Sequence, residues 1–167
     1  PQPYDKVITK DAKSKKGIFT VHQVKDKYYY EIPKTMLGKE FLWVTQIAKT
    51  TLGVGYGGQA LARRVVRWEV LDNKVFLRNI NYSITANKND PVAEAVESSN
   101  NETILASFPV AAWGPNNETA VIEVGRLFTT DIPEFSARQR LSATAMDPTR
   151  SFIERISPFP ENIEAVA

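Results

Sequence analysis

His22 is the first residue in this chain whose type could support chemistry. The chain has one histidine and no cysteine, so disulfides, thiolate catalysis and cysteine-ligated zinc are excluded. A catalytic zinc usually takes several histidine ligands, which a solitary imidazole cannot provide. As a general base, His22 would need a serine, an aspartate or a second histidine, and the neighbouring sequence supplies none. We interpret His22 as a strand residue hydrogen-bonded at a sheet surface, with a lone ligand or general base as the alternative.

A glycine-rich stretch is the second candidate. Gly53, Gly55 and Gly58 have the G-x-G-x-x-G spacing, which holds a pyrophosphate only when a helix follows. Residues 59–64 are too short for that helix and pass directly into the strand-like run 65–70, so we predict a loop that contacts something else. The candidate ligand or interface residues are Gly55, Tyr56, Gly57, Gly58, Gln59 and the aromatic Trp113.

Two charged patterns favour ordinary surface over chemistry. Arg63, Arg64 and Arg67 beside Trp68 could form a basic groove with a stacking ring for single-stranded nucleic acid, but the net charge is only +2. Glu94 and Glu97 lie three apart on the polar face of a predicted helix, which is typical of solvated charge. We therefore expect no nucleic-acid partner and no catalytic residue among them.

The composition is that of a globular protein, with 43% hydrophobic and 24% charged residues among 167. No apolar run approaches the roughly 20 residues that span a membrane, so we expect no transmembrane segment. The chain begins at Pro1 without Met and ends at Ala167 in a strand-like pattern. We expect it to be a fragment of a longer protein.

These residues must be positioned by β-hairpins. Residues 17–49 read as strand, turn, strand, helical turn and strand, and we expect them at the centre of the sheet. Two more hairpins are predicted within 65–85 and 103–124, and a capped helix near 91–99. The predicted fold is α+β and predominantly antiparallel β: a sheet or sandwich of hairpins with one or two short helices.

The predicted organisation has three parts. Residues 1–50 form an N-terminal lead-in and the first hairpin unit, and residues 51–132 form a central β domain. Residues 133–167 form a loop-rich extension, in which proline, serine and charge punctuate the chain and 151–156 is the only strand-like run.

An ordered set of segments resembles a known family. The set consists of 3–8, 17–22, 31–33 with 37–38, 75–78, 90–91 with 107–109, 150–154 and 159–162. In this order they resemble the N-terminal region, made of domains of unknown function, of large bacterial zinc-dependent proteases of the metzincin type. The resemblance spans nearly the whole chain.

The resemblance implies a non-catalytic role. In that family the zinc motif His-Glu-x-x-His-x-x-Gly-x-x-His lies in a downstream catalytic domain, and no residue here matches it. We therefore expect no cofactor in this chain and expect zinc in the catalytic domain of the parent protein. That catalytic domain would be the main partner, and a peptide substrate is a second possible partner. The implied location is secreted, periplasmic or attached to the outer envelope. The expected function is an accessory or scaffolding domain that shapes access to the catalytic cleft; the alternative is a stand-alone peptide- or glycan-binding module.

Overall fold

A computed structural model describes residues 1–48, 58, 60–81, 102–136, 138, 142 and 144–167. The strands are β1 (Lys13–Lys15), β2 (Thr20–Val24), β3 (Lys27–Pro33), β4 (Glu40–Gln46), β5 (Ala60–Leu71), β6 (Lys74–Ile80), β7 (Thr103–Trp113), β8 (Thr119–Glu123), β9 (Arg155–Pro158) and β10 (Ile163–Val166). The α-helices are α1 (Tyr4–Val7) and α2 (Gly125–Thr129), and 3-10 turns cover Lys34–Met36, Pro115–Asn117, Pro133–Phe135 and Pro148–Arg150.

The three predicted hairpins form, each around the expected turn. Lys25 and Asp26 connect β2 to β3, and Lys25 takes a positive φ of 56°. Asp72, with φ 54°, lies in the tight β5–β6 turn, where aspartate tolerates a left-handed backbone better than most residues. The predicted fold class is confirmed, because every pair within the main sheet is antiparallel and the helices are short.

The strands predicted to lie at the centre of the sheet lie toward its two ends instead. The main sheet has eight strands in the order β1-β2-β3-β8-β7-β6-β5-β4. The strands within 17–49 therefore lie toward both ends, and β4 is a terminal strand. The expectation of a central position was wrong because β5 to β8 lie between β3 and β4, and β8 is buried on both faces: Val121 and Ile122 are both fully buried.

The sheet curls around an aromatic core. Phe19, just before β2, meets Phe41 of β4 edge-to-face at 5.5 Å between ring centroids, although β2 and β4 lie near opposite ends of the strand order. Phe19 also contacts Tyr30 at 5.8 Å and Trp68 at 6.3 Å. These side chains face inward, as alternation predicts for Phe19 and Trp68. The inner face therefore contains the main core of the protein.

The N-terminal segment covers part of the outer face. Val7 of α1 packs with Tyr29, Ala112 and Val121 in a second buried cluster. The backbone N–H of Gln2 donates to the carbonyl oxygen of Ala111 at 2.7 Å. This contact lies where the pairing register of β7 and β8 shifts between Val110 and Ala112. Pro109 predicts either an edge strand or a bulge; β7 is not an edge strand, and the shift follows Pro109 directly.

The β9–β10 hairpin folds back onto the sheet. The backbone N–H of Ile18 donates to the carbonyl oxygen of Phe159 at 2.7 Å, and Ile156 joins the main core. A Cβ on Gly17 would lie 2.7 Å from that carbonyl oxygen and 2.7 Å from Cβ of Pro158. Glycine at 17 is therefore what lets the hairpin approach so closely. The predicted division of the chain at residues 50 and 132 stays a prediction.

We predict that Gly17→Ala destabilises the protein by about 1–3 kcal/mol, because the new methyl group overpacks the contact with the hairpin. Urea unfolding followed by circular dichroism measures the change. Gly125→Ala is the matched control, since no atom lies within 4 Å of a Cβ there, and its effect should stay within about 0.5 kcal/mol. Equal stability of the two variants would contradict the close approach at residue 17.

Candidate functional site

An apolar groove opens on the inner side of the curled sheet. Its volume is about 920 Å³, and its walls come from β4, the segment around α2 and the C-terminal hairpin. The alternation of β4 determines which side chains reach it: Phe41, Trp43 and Thr45 are half-buried and point inward, whereas the residues between them are exposed. Concave apolar clefts of this size are the usual form of ligand sites.

Trp43 forms the aromatic centre of the groove. Its ring stacks on Phe135 at 4.5 Å with an interplanar angle of 8°, and on Phe128 at 6.1 Å with 18°. Its indole Nε1–H donates to the hydroxyl of Thr45 at 3.0 Å. Phe152, on the same lining, is 71% exposed. Large aromatic rings thus remain accessible at the mouth of the groove.

Among the residues that the structure describes, the charged side chains that line the groove are all acidic: Asp131, Glu154 and Glu161. Asp131 accepts from Arg138 at 2.9 Å, and Glu154 from Arg155 at 3.1 Å. Lys and Arg outnumber Asp and Glu in the whole chain, 21 to 19. The acidic lining is therefore a local feature.

The outer face of β4–β7 combines exposed aliphatic residues with an ion-pair network. Arg67 contacts Glu69 at 2.7 Å and Glu102 at 2.5 Å, and Arg78 contacts Glu69 at 2.5 Å. Burial disfavours the charge on Glu69, but the hydrogen bonds from the two arginines prevail and lower its pKa. Four large aliphatic side chains on these strands are exposed: Leu42 (66%), Val44 (42%), Leu71 (65%) and Ile104 (48%).

His22 has hydrogen-bond partners on both ring nitrogens. Its Nδ1 lies 2.6 Å from the hydroxyl oxygen of Ser14, and its Nε2 lies 2.7 Å from Oε2 of Glu31. The imidazole is 3% exposed, so it is buried rather than at a sheet surface. His22 is thus a hydrogen-bonded strand residue, as interpreted, but the expectation that no serine lies near it was wrong, because pairing of β1 with β2 places Ser14 directly opposite His22.

Glu31 connects this network to the rest of the outer face. Besides His22, its carboxylate accepts from the hydroxyl groups of Tyr4 at 2.8 Å and Thr119 at 2.6 Å. The hydrogen bond from His22 is the largest cause that lowers the pKa of Glu31 to about 2, against the opposing effect of burial. Burial and the adjacent carboxylate raise the pKa of Tyr4. The network thus joins the N-terminal segment to β1, β2, β3 and β8.

The network has the order of a catalytic triad, hydroxyl to imidazole to carboxylate. Such a triad also needs a substrate cleft and oxyanion donors beside the hydroxyl. Ser14 lies on an exposed strand and is not part of the groove lining, which belongs to the opposite face. Glu31 meanwhile accepts three hydrogen bonds from three segments of chain. The geometry is that of a clamp that holds α1 on the sheet.

Sequence reasoning missed this clamp for an identifiable reason. β1 consists of Lys13, Ser14 and Lys15, and a three-residue strand without an apolar side chain gives no strand signal. The available signal was Glu31, a lone carboxylate within a run of strand-forming aromatic residues. Its neighbours Tyr30 and Ile32 face the core, so Glu31 must lie on the outer face with His22.

The predicted interface loop lies mostly outside the described residues, which exclude Gly55, Tyr56, Gly57 and Gln59. The described Gly58 has φ 83°, and its N–H donates to the carbonyl oxygen of Ile47 at 2.7 Å, between β4 and β5.

The sixth candidate, Trp113, ends β7, three places from β4 in the sheet order. Its ring centroid lies 5.0 Å from Nζ of Lys34, and its Nε1–H donates to Asn73 at 3.4 Å. Trp113 does not line the groove. The functional role of all six residues stays a prediction, as does the helix near 91–99, which is also outside the described residues.

Three other expectations concern metal, nucleic acid and membranes. Within the described residues, no group of three or more His, Asp or Glu side chains is arranged to hold a metal ion. Trp68, the ring considered for base stacking, is 3% exposed, and Arg67 beside it is engaged in ion pairs. No helix in the described part of the chain has the length and hydropathy needed to cross a membrane.

We predict that Glu31→Gln lowers the free energy of unfolding by about 1–3 kcal/mol at pH 7, because buried donors lose a charged acceptor. The folded-state pKa of Glu31 lies near 2, below its ordinary value of 4.5. Its contribution is therefore present above about pH 4.5 and is lost as the pH falls toward 2. Urea unfolding between pH 7 and pH 2 should show that the free energy of unfolding falls less steeply with decreasing pH in the variant than in the unaltered protein.

Glu123→Gln is the control for this prediction. Glu123 is the last residue of β8, but its side chain is 44% exposed and pairs with the exposed Lys27 at 3.1 Å. Such surface pairs contribute about 0–1 kcal/mol. If the free energy of unfolding falls with decreasing pH equally in Glu31→Gln and in the unaltered protein, the charge of Glu31 does not contribute to the stability of the clamp.

Comparison with known families gives two matches along the chain. Residues 1–50 match the model described as domain of unknown function DUF5118, and residues 58–167 match the model described as domain of unknown function DUF5117. The second match covers more than half of the chain, and the chain belongs to the DUF5117 family. The predicted resemblance to domains of unknown function is confirmed; neither description names a protease. No curated protein and no solved structure matches the chain.

Proposed function

We propose that this DUF5117 chain is a non-catalytic accessory domain of a bacterial zinc-dependent protease of the metzincin type. It would pack against a downstream catalytic domain of the same polypeptide and shape access to its cleft. Zinc would be bound by that catalytic domain, and the whole protein would be secreted, periplasmic or attached to the outer envelope. The resemblance of the ordered segments to such proteases supports this assignment.

The outer face of β4–β7 is the structural observation that supports a docking role. Its exposed aliphatic residues surround arginine–glutamate pairs, a mixture of apolar area and arginine that is typical of protein interfaces. The other half of the same outer face is covered by the chain's own N-terminal segment, through Val7 against Tyr29 and Val121. The contrast between the covered and exposed halves favours a protein partner on the exposed half.

A peptide-binding module is the second candidate function, and a different surface favours it. The inner groove has aromatic walls, which are absent from the proposed docking face as described, and it adjoins β4, the terminal strand. The two functions are compatible in one protein, because the two surfaces lie on opposite sides of the sheet.

We expect the isolated chain to show no proteolysis of casein at any zinc concentration, because one histidine without cysteine cannot form the usual histidine-rich catalytic site. Release of labelled peptides from casein measures this, with the same chain plus a chelator as the control. Zinc-dependent turnover by the isolated chain would contradict the accessory role.

We further expect the chain to bind the separately produced catalytic domain of its parent protein, and Leu71→Asp with Ile104→Asp to weaken that binding at least about tenfold, or about 1.4 kcal/mol. A charge placed in an apolar contact must be desolvated without a partner. Titration calorimetry measures the affinity. Phe159→Ala, an exposed apolar residue on the hairpin, is the control and should bind normally.

Two results would contradict docking through this face. Absence of binding by the unaltered chain would remove the accessory contact altogether. Equal affinity of the double variant and the unaltered chain would show that the exposed aliphatic residues lie outside the interface.

A further inference from the structure

We propose that the inner groove binds an extended peptide that adds as a strand beside β4 and whose inward-facing side chains are both apolar and basic. The peptide's apolar side chains enter the groove, and its lysine or arginine side chains reach the carboxylates at the rim. This site stands independently of the accessory role, because every residue that forms it belongs to this chain.

The edge of β4 provides the backbone recognition. Within the described residues, β4 pairs only with β5, and it is the last strand of the sheet. In an antiparallel pair, every second residue directs its N–H and C=O away from the partner strand. Along β4 these groups form a template for one further strand, which is how several peptide-binding domains capture extended ligands.

The groove provides pockets for the alternate side chains. A strand added beside β4 directs every second side chain to the inner face, where Trp43 stacks on Phe128 and on Phe135. Phe152 lines the same space and exposes 71% of its surface. The volume of about 920 Å³ is large enough for more than one apolar side chain.

The charge of the lining selects basic peptides. Its described charged residues are Asp131, Glu154 and Glu161, with no lysine or arginine. Arg138 and Arg155 partner the first two, whereas Glu161 has no ion pair within the described part of the chain and is exposed. A long basic side chain can pack its stem on apolar surface while its charge reaches such a rim.

The same charges argue against an anionic lipid in the groove. A fatty acid would place its carboxylate near Glu161, which is exposed and has no ion pair within the described residues, and like charges repel. An apolar tail would also leave the free backbone groups of β4 without new partners. An extended basic peptide satisfies both features at once.

The test uses three synthetic peptides and titration calorimetry with the unaltered chain. The first is acetyl-Phe-Ser-Lys-Ser-Phe-amide, whose phenylalanine and lysine side chains share one face of an extended strand. The second replaces the lysine by glutamate, and the third carries an N-methyl group on the amide nitrogen of every residue. We expect the first to bind, and the second and third to bind at least about tenfold more weakly. The second loses charge complementarity, and the third loses strand hydrogen bonds.

Two pairs of variants place the peptide in the groove. Glu161→Lys should weaken the lysine peptide and strengthen the glutamate peptide, whereas Glu164→Lys, an equally exposed residue of β10 outside the lining, should change neither. Phe152→Ala should weaken both peptides, whereas Phe159→Ala outside the lining should not. All four side chains are exposed, so the folded state should survive each change.

The proposal is overturned by absence of binding of the lysine peptide or by equal binding of the lysine and glutamate peptides. Equal binding of the N-methylated peptide would overturn addition to β4. Equal effects of the substitutions at 161 and 164 would place the peptide elsewhere. Dodecanoate that binds the chain more tightly than the lysine peptide would assign the groove to a lipid. None of these outcomes bears on docking, which Leu71 and Ile104 report separately.

Discussion

Burial of a single set of aromatic rings determines the shape of this protein. Phe19 must contact Phe41 and Trp68 at once to leave water, and these residues come from distant places in the strand order. A flat sheet could not bring them together, so the sheet curls until its two ends share one core. The curl creates an inside with a groove and an outside with two unlike halves. Both proposed binding surfaces are consequences of this packing.

The two matched segments are interleaved in one sheet. The first segment supplies β1, β2 and β3 at one end and β4 at the other, and the second supplies β5, β6, β7 and β8 between them. β3 pairs with β8, and β4 pairs with β5. Neither segment alone contains both sides of these two junctions. The two segments therefore act as one structural unit, held together by backbone hydrogen bonds and the shared core.

The outer face shows how a polar cluster can hold a short helix. α1 has four residues and makes few internal hydrogen bonds, so its own propensity cannot stabilise it in water. Its position depends on Val7 against the sheet and on Tyr4, whose hydroxyl donates to Glu31. The carboxylate also accepts from His22 and Thr119, so the clamp stays fully hydrogen-bonded where an unpaired charge would be costly. The opposite half of this face has no such cover in the described part of the chain and keeps its aliphatic residues exposed.

The sequence alone determined the hairpins, their turns and the inward faces of β2 and β5, because alternation and turn chemistry act between residues close in the chain. It also excluded a histidine-rich or cysteine-ligated metal site, since composition suffices for that. The strand order, the edge position of β4, the groove around Trp43 and the Ser14–His22–Glu31 contacts were decided only by the tertiary structure. Each of them depends on pairing between segments far apart in sequence, and no local pattern encodes which partner a strand will choose. The physical reason is that burial of the common core selects such pairing. The aromatic side chains and every strand of the main sheet except β1 contribute to that core together.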